Sequence, residues 1–159
     1  MKKLATTLAI TATLNAGTIG FTSFATSKHN DSGYNEQHDW IGLKYSYPME
    51  KDLTFTSEIA TFKNSYSNRT YVGVMGVSYL PLQYKDFKFG ANASFGVQKG
   101  YCMDNFSTKA CESGDNDKSF IFIPSFEVAY KLSDFRNIGV NVTYNDGVMA
   151  RFYFDLLEW

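Results

Sequence analysis

Apolar and polar residues alternate along much of this chain, most regularly between Asp86 and Val97. The apolar positions in that stretch are Phe87, Phe89, Ala91, Ala93, Phe95 and Val97, and the residues between them are charged, polar or glycine. A period of two places the two sets on opposite faces of a β-strand. A tilted strand of about 9–11 residues crosses a bilayer. The pattern therefore predicts an amphipathic strand whose apolar face meets either a protein core or lipid.

The same alternation predicts eight strands in all. Seven lie at about 39–47, 52–63, 70–80, 87–99, 119–131, 137–144 and 148–154, and Thr18–His29 supplies the eighth. Short connections alternate with longer polar ones, and an even strand number with this alternation is typical of outer-membrane barrels. We therefore predict an all-β fold, an eight-stranded antiparallel transmembrane β-barrel of the bacterial outer membrane, and expect it to be a monomer.

A soluble eight-stranded barrel or sandwich is the alternative, because it would show the same alternation with its apolar face turned inward. Two features favour the membrane barrel. Charged residues lie among small residues on the polar faces, as suits a polar lumen; these are Glu58, Lys88, Glu127, Lys131 and Arg151. The last strand, 148–154, ends in an aromatic residue and resembles the signal read by the outer-membrane assembly machinery, which we expect as a partner.

The N-terminus has the pattern of a secretory signal peptide. Lys2 and Lys3 precede an apolar stretch, Leu4–Leu14, that is too short to span a membrane as a helix. Cleavage after Ala25 fits the small-x-small rule better than cleavage after Ala16, but it would remove the first predicted strand. We therefore predict a signal peptide at 1–16 and a single barrel domain at 17–159.

Composition supports this class of protein. Aromatic residues make up 17% of the chain, with 14 Phe and 11 Tyr, which suits the aromatic girdles of a membrane barrel. The balance of 15 basic and 16 acidic residues argues against a nucleic-acid partner. No pattern indicates a metal or another cofactor.

Cys102 and Cys111 lie in a hydrophilic stretch, where a disulfide is the simplest prediction for an exported protein and metal binding is the weaker alternative.

Candidate chemistry is expected at the external rim of the barrel. With both termini in the periplasm, the first strand ends outside at His29, and the third ends outside at Asn64 and Ser65. An imidazole and a hydroxyl at one rim suit acyl transfer, with His29 as general base and Ser65 as the group that it activates.

Three segments in this order resemble the PagP-like outer-membrane lipid A palmitoyltransferases: Ser27-Lys28-His29, Tyr34-Asn35-Glu36 and Phe62-Lys63-Asn64-Ser65-Tyr66. The resemblance implies transfer of a palmitoyl chain from a membrane phospholipid to the lipid A of lipopolysaccharide. It also implies that His29, Asn64 and Ser65 form the functional trio. Asn64 replaces the aspartate of the enzymes, and an amide can orient a histidine but cannot carry a negative charge.

Other residues are candidates for handling lipid. Pro124 lies inside a predicted strand, where it removes a ladder hydrogen bond, and the resemblance implies a lateral gate at such a proline. An acyl-chain slot in the lumen is predicted to be lined by Gly90, Gly96, Ile121, Ile123, Ala129 and Gly139.

Two functions follow from these residues. The first is a PagP-like acyltransferase, favoured by the His29 and Ser65 pair. The second is a non-enzymatic barrel that binds a partner or masks a receptor through its external loops, favoured by Asn64 and by the long segment 100–118.

Overall fold

The computed structural model describes residues 17–29, 34–100, 118–133, 136–144 and 147–158. Eight antiparallel strands form a closed barrel. The strands are β1 (Thr18–His29), β2 (Gln37–Glu50), β3 (Leu53–Lys63), β4 (Arg69–Tyr84), β5 (Phe87–Lys99), β6 (Lys118–Ser133), β7 (Arg136–Tyr144) and β8 (Gly147–Glu158). The fold class predicted from alternation is confirmed.

Each strand pairs with the next along the chain, and β8 pairs with β1 to close the barrel. Two-residue turns join β2 to β3 and β4 to β5 at the end that also carries residues 17, 133, 136 and 158, which we call the turn end. The opposite end carries residues 29, 34–36, 64–68, 100, 118, 144 and 147 and is called the loop end. The described ranges contain no helix long and apolar enough to cross a membrane.

The barrel wall has its polar face inside and its apolar face outside, which is the reverse of a soluble barrel. In β5, the polar side chain of Asn92 points inward and is 5% exposed, whereas Phe95 points outward and is 47% exposed. The same division runs around the barrel, with outward apolar side chains that include Ile41, Leu43, Ile59, Met75, Leu82, Val97, Phe120, Phe122 and Phe126. Contact with water would be unfavourable for so large an apolar exterior, so this outer face is suited to contact with lipid.

A small apolar cluster lies inside the barrel towards the loop end. Trp40 of β2 stacks on Phe62 of β3 with ring centroids 4.4 Å apart. Ala25, Ala60, Val72 and Val74 complete the cluster, with Ile121 and Ile123 packed against it. The rest of the lumen is polar, so the aromatic pair separates the loop-end residues from the charged centre of the barrel.

Two local features extend the expectations from sequence. The final strand continues past 154 to Glu158, and Asp155 points inward. β1 contains an irregularity at Phe24, whose φ of 55° shifts the register between Ser23 and Ala25. The predicted signal peptide at 1–16 and the predicted disulfide between Cys102 and Cys111 lie outside the described residues.

Candidate functional site

The loop end brings together the three segments that carried the sequence resemblance. The backbone N–H of Ser27 donates to the carbonyl of Glu36 at 2.9 Å, which ties β1 to the start of β2. The N–H of Asn35 donates to the carbonyl of Ser65 at 2.8 Å, and its side-chain amide donates to the carbonyl of Asn64 at 3.2 Å. The segment 34–36 therefore holds the β3–β4 turn against the end of β1.

This packing places Ser65 beside His29. The Ser65 Oγ lies 3.1 Å from His29 Nε2, so the predicted pairing of hydroxyl and imidazole is present in the structure. The His29 ring also contacts the ring of Tyr34, at 4.9 Å between centroids, and Tyr34 meets Tyr66 edge to face at 5.6 Å. Two tyrosines thus cover one side of the pair.

A second histidine, His38, belongs to the same cluster. It is 4% exposed, although Gln37 and Asp39 on either side of it are polar and exposed. Its Nδ1 lies 2.6 Å from the carbonyl of Lys63, and its Nε2 lies 2.9 Å from the Oγ of Ser27. The signal available in the sequence was parity, because His38 alternates with Trp40 on the face of β2 that points inward.

The hydrogen-bond partners limit how the protons are shared. Since a carbonyl can only accept, His38 Nδ1 carries a proton and donates it to the carbonyl of Lys63. The Ser27 hydroxyl lies between the two rings, 2.9 Å from His38 Nε2 and 3.1 Å from His29 Nε2, and has a single proton to give. His29 Nε2 therefore faces two hydroxyls, those of Ser27 and Ser65, and is not reserved for Ser65.

Asn64 shapes the turn instead of contacting His29. Its Nδ2 donates to Thr70 Oγ1 at 3.2 Å and to the Gly100 carbonyl at 3.1 Å. Its Oδ1 accepts the backbone N–H groups of Tyr66 at 2.9 Å and Asn68 at 3.0 Å. The amide is fully buried and fully hydrogen-bonded. Asn64 therefore positions Ser65 through the backbone, and the expectation that it orients the imidazole does not match these contacts.

An exposed ion pair borders the cluster. Lys28 Nζ lies 2.8 Å from Glu36 Oε1. The Lys28 hydrogen bond lowers the pKa of Glu36 from its usual value of 4.5, with further help from the charge of Lys28 and the backbone N–H of His29. The pair links β1 to the segment that carries Asn35.

The centre of the lumen holds a buried charge pair. The Nη1 of Arg151 on β8 lies 3.0 Å from the Oε2 of Glu58 on β3. The Arg151 guanidinium also lies over the ring of Trp40, with its Cζ 5.2 Å from the ring centroid. The Glu58 carboxylate also accepts hydrogen bonds from Thr22 at 2.7 Å and from the Trp40 indole at 2.9 Å. The group draws on four consecutive strands, β8, β1, β2 and β3, so it links one half of the barrel wall across the closure between β8 and β1.

A second group lies nearer the turn end. The Glu127 carboxylate accepts hydrogen bonds from the hydroxyls of Tyr153, at 2.6 Å, and Ser78. Lys44 sits over the Tyr153 ring at 3.5 Å from its centroid, and its Nζ lies 3.8 Å from Asp155. Of the charges expected in the lumen, Glu58 and Arg151 pair with each other, whereas Glu127 is held by neutral hydroxyl groups.

The acyl-chain slot stays a prediction, and the space beside its glycines is taken by other parts of the chain. A cavity at the centre of the lumen has a volume of about 10 Å³ and a largely polar lining, so it has room for roughly one water molecule. A Cβ on Gly90 or Gly96 would meet neighbouring backbone, at 1.9 Å from the Tyr79 carbonyl and 2.0 Å from the Gly73 carbonyl, respectively. A Cβ on Gly139 would meet the Tyr153 ring at 2.2 Å. These glycines therefore admit close protein neighbours.

The remaining residues predicted to contact lipid lie both inside the barrel and on its outer face. Ile121 and Ile123 pack against the apolar cluster, and Ala129 is buried in the wall. Pro124 is exposed on the outer face opposite Ala93, two residues before the described pairing of β6 with β7 begins at Phe126. Its role as a lateral gate stays a prediction. Among the described residues, no group of three or more His, Cys, Asp or Glu side chains could hold a metal ion.

Comparison with known proteins agrees with the fold. The structure of the Yersinia pestis outer membrane protein Ail in a phospholipid bilayer nanodisc covers 89% of this chain and 98% of its own, with 12% identity and a TM-score of 0.50. A crystal structure of Ail, the attachment invasion locus protein of Yersinia pestis, covers 88% of this chain and 95% of its own, with 11% identity and a TM-score of 0.47. No family model and no curated protein matches the sequence.

The protein is thus a small eight-stranded barrel of the outer-membrane type. Its lipid-facing apolar wall and its polar, side-chain-filled lumen are those of a bacterial outer-membrane protein. At 12% identity the likeness to Ail extends to the fold alone.

Proposed function

We propose that this chain is a non-enzymatic barrel of the outer membrane that acts through its loop end, by binding a partner or masking a surface receptor. The observation that carries the proposal is the centre of the lumen, where polar and charged side chains leave a cavity of only about 10 Å³ with a largely polar lining. An acyltransferase has to house a hydrocarbon chain of many methylenes, and a polar space of this size does not suit one. The barrel then serves as an anchor that holds the loop end outside the membrane.

The loop-end cluster gives further support. The ring nitrogen of His29 that faces Ser65 is shared with Ser27, whose hydroxyl also meets His38. Asn64 is committed to its turn and supplies no charge to stabilise an imidazolium. The cluster is therefore better suited to holding the β1–β2 and β3–β4 connections in place than to proton transfer.

Acyl transfer to lipid A is the second candidate function. It is favoured by the distance of 3.1 Å between His29 Nε2 and Ser65 Oγ at the loop end. In this function, His29 and Ser65 act on a phospholipid donor and a lipopolysaccharide acceptor, and Pro124 marks the place where lipid enters.

One experiment separates the two functions. The full chain is expressed in a strain without its own lipid A palmitoyltransferase, folding is checked by heat-dependent gel mobility, and lipid A is analysed by mass spectrometry. The proposed function predicts no added acyl chain in the presence of folded barrel. An added palmitoyl mass that disappears in His29→Ala, while that variant still folds, would establish the second function and overturn the first.

A further inference from the structure

Three basic side chains form a contiguous group on the outer wall at the loop end. Arg69 starts β4, Lys99 ends β5 and Lys118 starts β6, and all three are exposed. The alternation of β4 places Arg69 on the outward face, because the next residue, Thr70, is buried in the barrel. We call these three residues the basic rim.

The strand register brings the basic rim together. On one side, Lys99 of β5 is directly opposite Lys118 of β6. On its other side, it is directly opposite Tyr71 of β4, and Arg69 lies two residues before Tyr71 on that strand. Directly opposite Cα atoms are about 5 Å apart in antiparallel strands, and diagonal neighbours are about 7–8 Å apart. One ligand group of ordinary size can therefore contact all three side chains.

The charges of the basic rim lack compensation within the described ranges. No carboxylate of the described residues lies within ion-pair distance of Arg69, Lys99 or Lys118, whereas the neighbouring Lys63 pairs with Asp39 at 3.3 Å. Like charges directly opposite each other destabilise a sheet. The pairing of Lys99 with Lys118 is therefore unfavourable unless an anion lies between or above them.

The turn end shows the opposite arrangement. There Lys88 Nζ lies 3.5 Å from Asp52 Oδ1. Among the described residues, this lysine has a carboxylate partner, whereas the three members of the basic rim have none.

The wall directly below the basic rim is aromatic. Tyr71 is 60% exposed and Phe120 is 70% exposed, and the Phe120 ring stacks on Phe95 at 6.5 Å between centroids. The rim itself is held in place, because the buried amide of Asn64 donates to the carbonyl of Gly100, next to Lys99. A fixed basic edge above an apolar wall matches a molecule with an anionic head and a hydrocarbon tail.

We propose that the basic rim binds the phosphate groups of a lipid in the leaflet at the loop end, whose acyl chains lie on the Phe95 and Phe120 wall. The Arg69 guanidinium suits bidentate contact with phosphate, and the two lysines supply point charges beside it. This site lies on the outer wall and does not depend on whether the barrel is an enzyme.

The test compares matched variants of the full chain in phosphatidylcholine nanodiscs that contain a small, fixed fraction of diphosphoryl lipid A. Lys99→Gln/Lys118→Gln removes two charges from the basic rim, and Lys51→Gln/Lys85→Gln removes two from the turn end. Native mass spectrometry measures how much diphosphoryl lipid A each protein retains. We expect about ten-fold weaker retention by the rim variant and no change for the turn-end variant. NMR shifts on adding the lipid should fall on the amides of Tyr71 and Lys99.

Further arms identify the group that is bound. Lipid A from which the phosphates have been removed should be retained no better by the wild type than by the rim variant. Equal retention of diphosphoryl lipid A by wild type and rim variant would overturn the proposal, as would an equal loss in the turn-end variant. Inorganic phosphate that alone produces the same NMR shifts in phosphatidylcholine nanodiscs would overturn the assignment to a lipid.

Discussion

The centre of the lumen and the loop-end cluster are both buried polar groups, but they are compensated differently. In the lumen, the Glu58 carboxylate is met by the Arg151 guanidinium and by two neutral donors. At the loop end, the described hydrogen-bond partners of the His29 and His38 rings are hydroxyls and a backbone carbonyl. The lumen therefore depends on full charges whose loss is costly, whereas the loop end depends on hydrogen bonds to uncharged partners.

Arg151→Met should have the largest effect, because it leaves the Glu58 carboxylate buried without its cation. We expect a loss of about 3–5 kcal/mol in the free energy of unfolding. Urea unfolding of the full chain in detergent micelles measures it. The double variant Glu58→Gln/Arg151→Met is the control, since it removes both charges and should be more stable than the single variant. A single variant that is as stable as the wild type would show that the pair does not hold the barrel together.

Asn64 variants should have an intermediate effect. Asn64→Ala removes four hydrogen bonds from the β3–β4 turn, and we expect a cost of about 1–3 kcal/mol, measured by the same unfolding transition. Asn64→Asp keeps the two acceptor contacts but loses both donors and turns a negative charge towards the Gly100 carbonyl. We therefore expect it to be destabilised as well. An Asn64→Asp variant of wild-type stability, with a titration that shifts the His29 ring signals, would show that residue 64 acts on the imidazole after all.

Ser27→Ala should have a smaller effect on stability, about 1 kcal/mol, because it removes one hydroxyl between two rings. Its clearer consequence is on the histidine ring signals. Ser27 contacts both rings, so Ser27→Ala should change the ¹⁵N shifts of His29 and His38, whereas Ser65→Ala should change those of His29 alone. If Ser27→Ala leaves the His38 signals unchanged, Ser27 does not bridge the two rings.

The smallest effect is expected at the exposed pair of Lys28 and Glu36. Lys28 lowers the pKa of Glu36, so the folded state gains from this contact at neutral pH and loses it as the pH falls through the lowered pKa. In Lys28→Met the NMR titration midpoint of Glu36 should rise towards its usual value. An unchanged midpoint would show that Lys28 is not the cause.

Alternation along the chain was enough to predict the strands and the outward direction of Phe95, because each depends on the parity of neighbouring residues. The meeting of His29 with Ser65 was also predictable, since antiparallel strands of known direction bring their ends to one rim. Parity also places His38 inward, although polar Gln37 and charged Asp39 flank it.

Contacts across the lumen were not predictable in the same way. The pairing of Glu58 with Arg151 joins β3 to β8 and depends on barrel closure and on the register shift at Phe24. The glycines were expected to border an open slot. In the structure, the space beside Gly90 and Gly96 belongs to the backbone of β4, which no pattern along one strand reveals.

A lumen filled by its own side chains keeps acyl chains away from Trp40. Trp40 lies inside the lumen and the next residue, Ile41, faces outward at a similar depth. Two single-tryptophan proteins, Trp159→Phe and Trp159→Phe/Trp40→Phe/Ile41→Trp, are placed in vesicles of phospholipid with brominated acyl chains. For a filled lumen we expect strong fluorescence quenching for the outward tryptophan and weak quenching for Trp40. Quenching of Trp40 as strong as that of the outward tryptophan would contradict it.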